Sequence, residues 1–135
     1  MKNAFVFIIV IAFLLSLCSC GGNVKNVEII AVESDLFSKR DIASATRTAV
    51  KYFEDEFEGC TLKKIQYIGD DEAESFKEWA NQYGADEAIV LVSTFYVELS
   101  GSDGSLEPGQ TYENWQWVLV RNSGGSWRHV THGYA

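Results

Sequence analysis

The chain has 135 residues, of which 19 are acidic and 11 basic, so its net charge is −8 at pH 7. This length suits a single domain with its own hydrophobic core. Because phosphate backbones and anionic lipid headgroups repel an acidic protein, the charge argues against nucleic-acid binding and against binding of the domain to anionic lipid headgroups.

The start of the chain has the layout of a secretory signal peptide. A short basic segment precedes an apolar run of about 15 residues, and small residues follow it. The end of the run resembles a bacterial lipobox, with Leu17 at position −3 and Ser19 at −1 before Cys20. We therefore expect residues 1–19 to be a lipoprotein signal peptide and Cys20 to carry the lipid.

Two other interpretations of this leader are less favoured. The apolar run is shorter than the roughly 20 residues that span a bilayer as a helix, which argues against a retained transmembrane anchor. Plain secretion leaves the cysteine at the cleavage site without a purpose. Cys18 is a poorer lipid acceptor than Cys20, since it would place the large Leu17 at position −1. The expected location is extracytoplasmic, with the lipid in the cell membrane.

The residues after the cleavage site divide into a tether and a domain. Residues 20–33 are predicted to carry the lipid and lead to the fold. They begin with the flexible sequence Gly21-Gly22-Asn23, and residues 27–32 are apolar enough for a short strand or a docked arm. Residues 34–135 are predicted to form a single domain.

Two amphipathic helices are predicted in this domain. The first begins at Ser38, which forms a capping box with Asp41, and its apolar residues then recur every three or four positions. Gly59 is predicted to end it with a left-handed cap. The second helix begins with a similar pattern at Asp71 and stops at Gly84.

Four strands are predicted at residues 60–68, 87–99, 111–121 and 127–134, and a glycine-containing turn joins the last two. The second strand is apolar on both faces, which is typical of a central strand. The order of elements predicts an α+β domain, with both helices on one face of a curved antiparallel sheet. This layout resembles the cone-shaped nuclear-transport-factor-like and cystatin-like folds, and a ferredoxin-like sandwich is the alternative.

Several short phrases occur together between about residues 36 and 134. They are Phe37-Ser38 with Asp41-Ile42, Gly59-Cys60-Thr61-Leu62, Tyr67 with Gly69-Asp70, Ile89-Val90-Leu91, Gly104-Ser105-Leu106 with Pro108, Tyr112 with Trp115 and Trp117, and Gly125 with Trp127 and Gly133-Tyr134. In combination they are similar to an uncharacterised group of extracytoplasmic domains from Firmicutes, many of them lipoproteins. The resemblance implies a source and a class of protein, and it carries over no catalytic residue.

Aromatic residues are concentrated in the last two predicted strands. Tyr112, Trp115, Trp117 and Trp127 are the candidate contacts for a ligand or partner, because exposed rings offer contact area at low entropic cost. The alternative is that they pack against the first helix as core. On a regular strand Trp115 and Trp117 share one face, and Tyr112 lies on the other.

We expect no metal ion, cofactor or catalytic centre. His129 and His132 lie three positions apart on a predicted strand, so they should point to opposite faces, which does not suit two ligands of one metal. Cys60 is expected to be a buried small hydrophobic residue. A reactive thiol and an intermolecular disulfide are the alternatives for it.

These features favour a non-catalytic module that is attached to the membrane through Cys20. Its expected role is to bind a small ligand or another envelope protein at the cell surface. The alternative is a small cone-fold enzyme, which requires an apolar cavity holding a carboxylate or a histidine with a shifted pKa.

Overall fold

The computed structural model describes residues 21–100 and 104–134. The expected signal peptide and Cys20 lie outside these residues. Two helices and one five-stranded sheet make the domain α+β, as predicted. The elements are β1 (Glu28–Ile30), α1 (Lys39–Glu56), β2 (Cys60–Tyr67), a short 3₁₀ helix (Asp70–Glu72), α2 (Ala73–Gln82), β3 (Glu87–Val97), β4 (Thr111–Arg121) and β5 (Arg128–Gly133).

Helix α1 begins where its capping signal predicts. The Ser38 hydroxyl accepts a hydrogen bond of 3.0 Å from the backbone N–H of Asp41, which satisfies one of the unpaired amides of the first turn. The buried stripe of the helix includes Ala45, Ala49 and Phe53. Its three-to-four spacing presents a continuous apolar surface to the sheet.

Helix α2 begins differently from the prediction. The 3₁₀ turn precedes it, which places Glu72 at the N-cap, and no side chain caps the helix. The expected capping pattern at Asp71 is therefore wrong. A local sequence signal does not distinguish a capped helix from one that continues a tighter turn.

The strands lie in the order β1-β2-β3-β4-β5. Neighbouring strands from β2 to β5 pair antiparallel, and β3 is central, as its apolar character predicts. At the edge, β1 pairs parallel to β2, so the sheet is mixed rather than wholly antiparallel. The cone-shaped arrangement stays a prediction.

Helix α1 packs on one face of the sheet, where Phe53 contacts Phe95 of β3 and Trp117 of β4. Helix α2 lies at the end of β2. The ring of its Phe76 lies 6.0 Å from that of Tyr67, and its Trp79 lines a cleft with Ile68 and Gln116. The expectation that both helices share one face stays a prediction.

The sequence Gly21-Gly22-Asn23, expected to be flexible, is docked on the domain, and the short strand considered for residues 27–32 forms as β1. The N–H of Gly22 donates to the carbonyl oxygen of Glu54 at 2.9 Å, and the N–H of Asn23 donates to that of Cys60 at 2.8 Å. Strand β1 then continues along β2. The chain is therefore tied to the fold from residue 22 onward.

The two glycines allow the backbone of this segment to lie against the last turns of α1. A Cβ atom on Gly21 would lie 2.1 Å from the carbonyl oxygen of Glu54, and one on Gly22 would lie 2.5 Å from that of Phe53. Both distances are far shorter than a van der Waals contact. A side chain at either position would push the segment off the helix.

Gly22→Ala is expected to lower the free energy of unfolding by about 1–3 kcal/mol, because the methyl group overpacks a backbone contact. Urea unfolding followed by tryptophan fluorescence measures this change. Lys25→Ala, at an exposed position of the same segment, is the control and should alter stability by less than about 0.5 kcal/mol. Equal stability of the two variants would contradict the docked arrangement.

Candidate functional site

Strand β5 brings both histidines to one face of the sheet, contrary to the expectation. Val118 pairs with Thr131 but Leu119 pairs with His129, so β5 has one extra residue at this point. Such a bulge reverses the alternation of side chains along the strand. As a result, His129 and His132 both face α1.

The two imidazole rings are in direct contact. Nδ1 of His132 lies 3.2 Å from Nε2 of His129, and the ring planes are inclined by only 18°. The ring of Tyr52, from α1, lies 4.0 Å from that of His129, and Trp117 lies 5.1 Å from His132. At this separation one neutral imidazole donates its N–H to the other.

Burial keeps the histidine pair neutral. It lowers the pKa of His129 to about 4, and the neighbouring His132 is the second cause. Burial also lowers the pKa of His132 below its ordinary value. Since two adjacent positive charges in a partly buried site are unfavourable, the pair donates and accepts hydrogen bonds at pH 7 without carrying charge.

A second bulge moves Tyr112 to the same face. Ser93 pairs with Trp115 but Phe95 pairs with Tyr112, so β4 contains one extra residue, and Asn114 adopts a positive φ of 58°. The Tyr112 ring stacks on Phe95 at 5.2 Å and lies 5.7 Å from Trp115. The prediction that Tyr112 and Trp115 lie on opposite faces is therefore wrong.

A cleft of about 380 Å³ opens beside the histidines, between the end of α1, the start of β2 and the edges of β4 and β5. We call it the histidine–aromatic cleft. It is lined by Tyr52, Glu56, Phe57, Glu58, Cys60, Ser105, Leu106, Trp115 and His132. Among the described residues, those that line it include two carboxylates and no lysine or arginine.

The four aromatic residues singled out in the sequence separate into two groups. Trp115 lines the cleft and Tyr112 borders it. Trp117 is 0 % exposed and Trp127 is 5 % exposed, so both belong to the core. Trp127 lies at the far end of the sheet, where the Arg121 guanidinium stands 4.2 Å over its ring.

The sequence did not indicate Tyr52 and Phe57 as site residues, and it predicted that the histidines lie apart. Tyr52 belongs to the last turns of α1 and Phe57 is its C-cap residue, and with Phe53 they widen the apolar stripe. That widening is a signal that could have pointed to a second contact surface on the helix. The bulge in β5 has no such signal, because none of the residues around it requires one.

Cys60 is 2 % exposed, and its thiol donates a weak hydrogen bond of 3.8 Å to the carbonyl oxygen of Glu58. Its prediction as a buried small residue is confirmed. Within residues 21–100 and 104–134, no three His, Cys, Asp or Glu side chains form a group that could hold a metal ion. No helix in the described part of the chain is both long and apolar enough to cross a membrane.

Comparison of the chain with protein-family models, with curated protein sequences and with solved structures found no match. The site combines aromatic rings, two carboxylates and an uncharged histidine pair in one cleft.

The stability of the protein is expected to fall as the pH drops from about 6.5 to about 4. Over this range the unfolded chain takes up protons that the folded His129 does not, so protonation favours unfolding. In His129→Gln the loss should be smaller. The lowered pKa values of Asp41 and Asp70 keep these carboxylates ionised across the same range.

Urea midpoints at pH 7.5, 6, 5 and 4 measure this dependence. Arg128→Gln, at the exposed neighbouring position, is the control and should retain the wild-type pH profile. A wild-type midpoint that is constant between pH 6.5 and 4 would contradict the neutral histidine pair.

Proposed function

We propose that this protein is a lipid-anchored, non-catalytic binding module of the cell surface, and that its ligand occupies the histidine–aromatic cleft. The lining of that cleft carries the proposal. Aromatic rings, carboxylates and neutral imidazoles are combined in a concave site, where a small ligand can bury most of its surface.

The charge of the lining selects the chemical class of the ligand. The faces of Tyr52, Phe57 and Trp115 carry the negative side of the ring quadrupole, and Glu56 and Glu58 carry full negative charges. An anion would be repelled. We propose a ligand with an amine or guanidinium group, either a small molecule or a side chain of a peptide.

The histidine pair supplies a complementary contact. Because His132 is neutral and lines the cleft, it offers a hydrogen bond without repelling a cation. A protonated imidazole at the same position would oppose the ligand's charge. Binding of a cation should therefore weaken as the pH falls toward the pKa of the pair.

The anchor is supported by the lipobox-like sequence before Cys20 and by the similarity to extracytoplasmic domains that are often lipoproteins. The intact mass of protein purified from its native membrane fraction tests it. We expect a mature chain that begins at Cys20 and carries acyl chains, whereas Cys20→Ala should lack them. An unacylated wild-type chain would contradict the anchor.

The double variant Glu56→Gln/Glu58→Gln is expected to weaken the binding of a small cation at least tenfold. The physical reason is the loss of two charges from the rim of one cleft. Tetraethylammonium and arginine amide are suitable probes, with methyl glucoside and acetate as uncharged and anionic comparisons. Chemical-shift changes in ¹⁵N-labelled protein measure the affinity and locate the contact.

The matched control is Glu54→Gln/Asp55→Asn. It removes two charges from the same helix end at positions that pair with Lys51 and do not line the cleft. It should alter cation binding less than threefold. Tighter binding of acetate than of either cation would contradict the assignment of ligand class.

A small enzyme is a second candidate, favoured by one observation. The histidine pair beside the cleft has lowered pKa values, and a neutral imidazole can accept a proton, although the lining with Glu56 and Glu58 is not wholly apolar. Turnover of an ester or amide panel that is lost in His132→Gln and retained in Arg128→Gln would favour the enzyme.

A further inference from the structure

The docked segment determines which end of the domain lies beside the proposed lipid. Gly22 is hydrogen-bonded to Glu54 at the end of α1, and Asn23 is hydrogen-bonded to Cys60 at the start of β2. Gly21, the residue after Cys20, approaches the same turn of α1 so closely that a Cβ would collide with it. Consecutive Cα atoms are about 3.8 Å apart, so only a short linker would connect a lipid on Cys20 to the folded domain.

The same end of the domain exposes two large apolar side chains. Cys60 pairs with Val97, and the N–H of Glu98 donates to the carbonyl oxygen of Gly59 at 2.8 Å, which places the following Leu99 at the same end of the sheet as the docked segment. Leu99 is 77 % exposed and Tyr134 is 60 % exposed.

Tyr134 belongs to this end because its ring lies 5.2 Å from that of Trp115 and 6.0 Å from that of Tyr112. A tyrosine and a leucine at one end of a domain suit the headgroup layer of a bilayer, where an apolar body is buried while a polar tip stays hydrated. We name Leu99 and Tyr134 the anchor-end surface.

We propose that the anchor-end surface rests on the bilayer that holds the lipid, so the histidine–aromatic cleft opens at the membrane surface. This inference rests on the lipid anchor of the proposed function. The cleft lies at this end because Glu56, Glu58 and Cys60 line it. Its ligand would accordingly be a cationic group presented at the membrane surface.

The negative charge at this end of the domain limits how it can contact the bilayer. Glu54, Glu56, Glu58 and Glu98 are all exposed there, and anionic headgroups repel them. The acyl chains therefore provide the attachment, and Leu99 and Tyr134 provide the orientation. Anionic lipid should loosen the contact, opposite to its effect on a protein that adsorbs through basic residues.

Quenching of a site-specific fluorophore by spin-labelled lipid tests the orientation. Acylated protein carrying Ser100→Cys, at the exposed position next to Leu99, is labelled and reconstituted into phosphatidylcholine vesicles. Ser126→Cys, exposed near the opposite end of the sheet where β5 begins, is the matched control. The unsubstituted protein corrects for labelling of the buried Cys60. Quenching at position 100 should exceed that at position 126 at least twofold, and phosphatidylglycerol should reduce the difference.

A variant with 15 glycine and serine residues inserted between Cys20 and Gly21 removes the short connection. Such a linker has an average span of about 20 Å, so the difference between the two positions should shrink in it. Equal quenching at positions 100 and 126 in the acylated, uninterrupted chain would overturn the orientation alone. An intact mass without acyl chains would overturn the proposed anchor, and the orientation with it.

Discussion

The two bulges in β4 and β5 are the constraint on which the histidine–aromatic cleft depends. In a regular strand the side chains alternate strictly, so residues three positions apart lie on opposite faces. One extra residue in β5 brings His129 to the face of His132, and one in β4 brings Tyr112 to the face of Trp115. Without these insertions the histidine pair would not form. The sheet thus concentrates its aromatic and imidazole rings against the end of α1.

This concentration has a cost in stability. Both imidazoles lose much of their hydration. The hydrogen bond between the two rings and the contact of Tyr52 with His129 partly replace it. Within the described residues, the buried indole N–H of Trp115 has no hydrogen-bond acceptor, which costs about 1–3 kcal/mol. Trp117 beneath them is satisfied, since its indole N–H donates to the hydroxyl of Ser93 at 2.8 Å. Among the same residues, the buried indole N–H of Trp127 at the far end of the sheet also lacks an acceptor, so unsatisfied groups lie both at the wall of the cleft and in the core.

Signals confined to a few neighbouring residues predicted much of the fold. Each of these signals lies within a single helix or strand: the Ser38 cap, the apolar stripe of α1 and the apolar residues on both faces of β3. What the sequence did not predict depends on contacts between distant segments. The parallel pairing of β1 and the docking of Gly22 on Glu54 join residues more than 30 positions apart. The candidate site was predicted in part, since Trp115 and Tyr112 were identified but the histidine pair requires a bulge that no local pattern indicates.

The end of α1 connects the docked segment, the cleft and the charge of the proposed ligand. The last carbonyl groups of a helix lack hydrogen-bond partners within the helix. In α1 the carbonyl oxygen of Glu54 accepts a hydrogen bond from the N–H of Gly22. These carbonyls carry the negative end of the helix dipole, and no basic residue lies in the last turn of α1 to offset it. Glu56 and Glu58 add to the same negative potential at the cleft. Since an uncompensated cluster of this kind is unfavourable in the empty protein, a bound cation gains from the carboxylates, the helix end and the aromatic faces together. This convergence is the physical argument for an amine or guanidinium ligand.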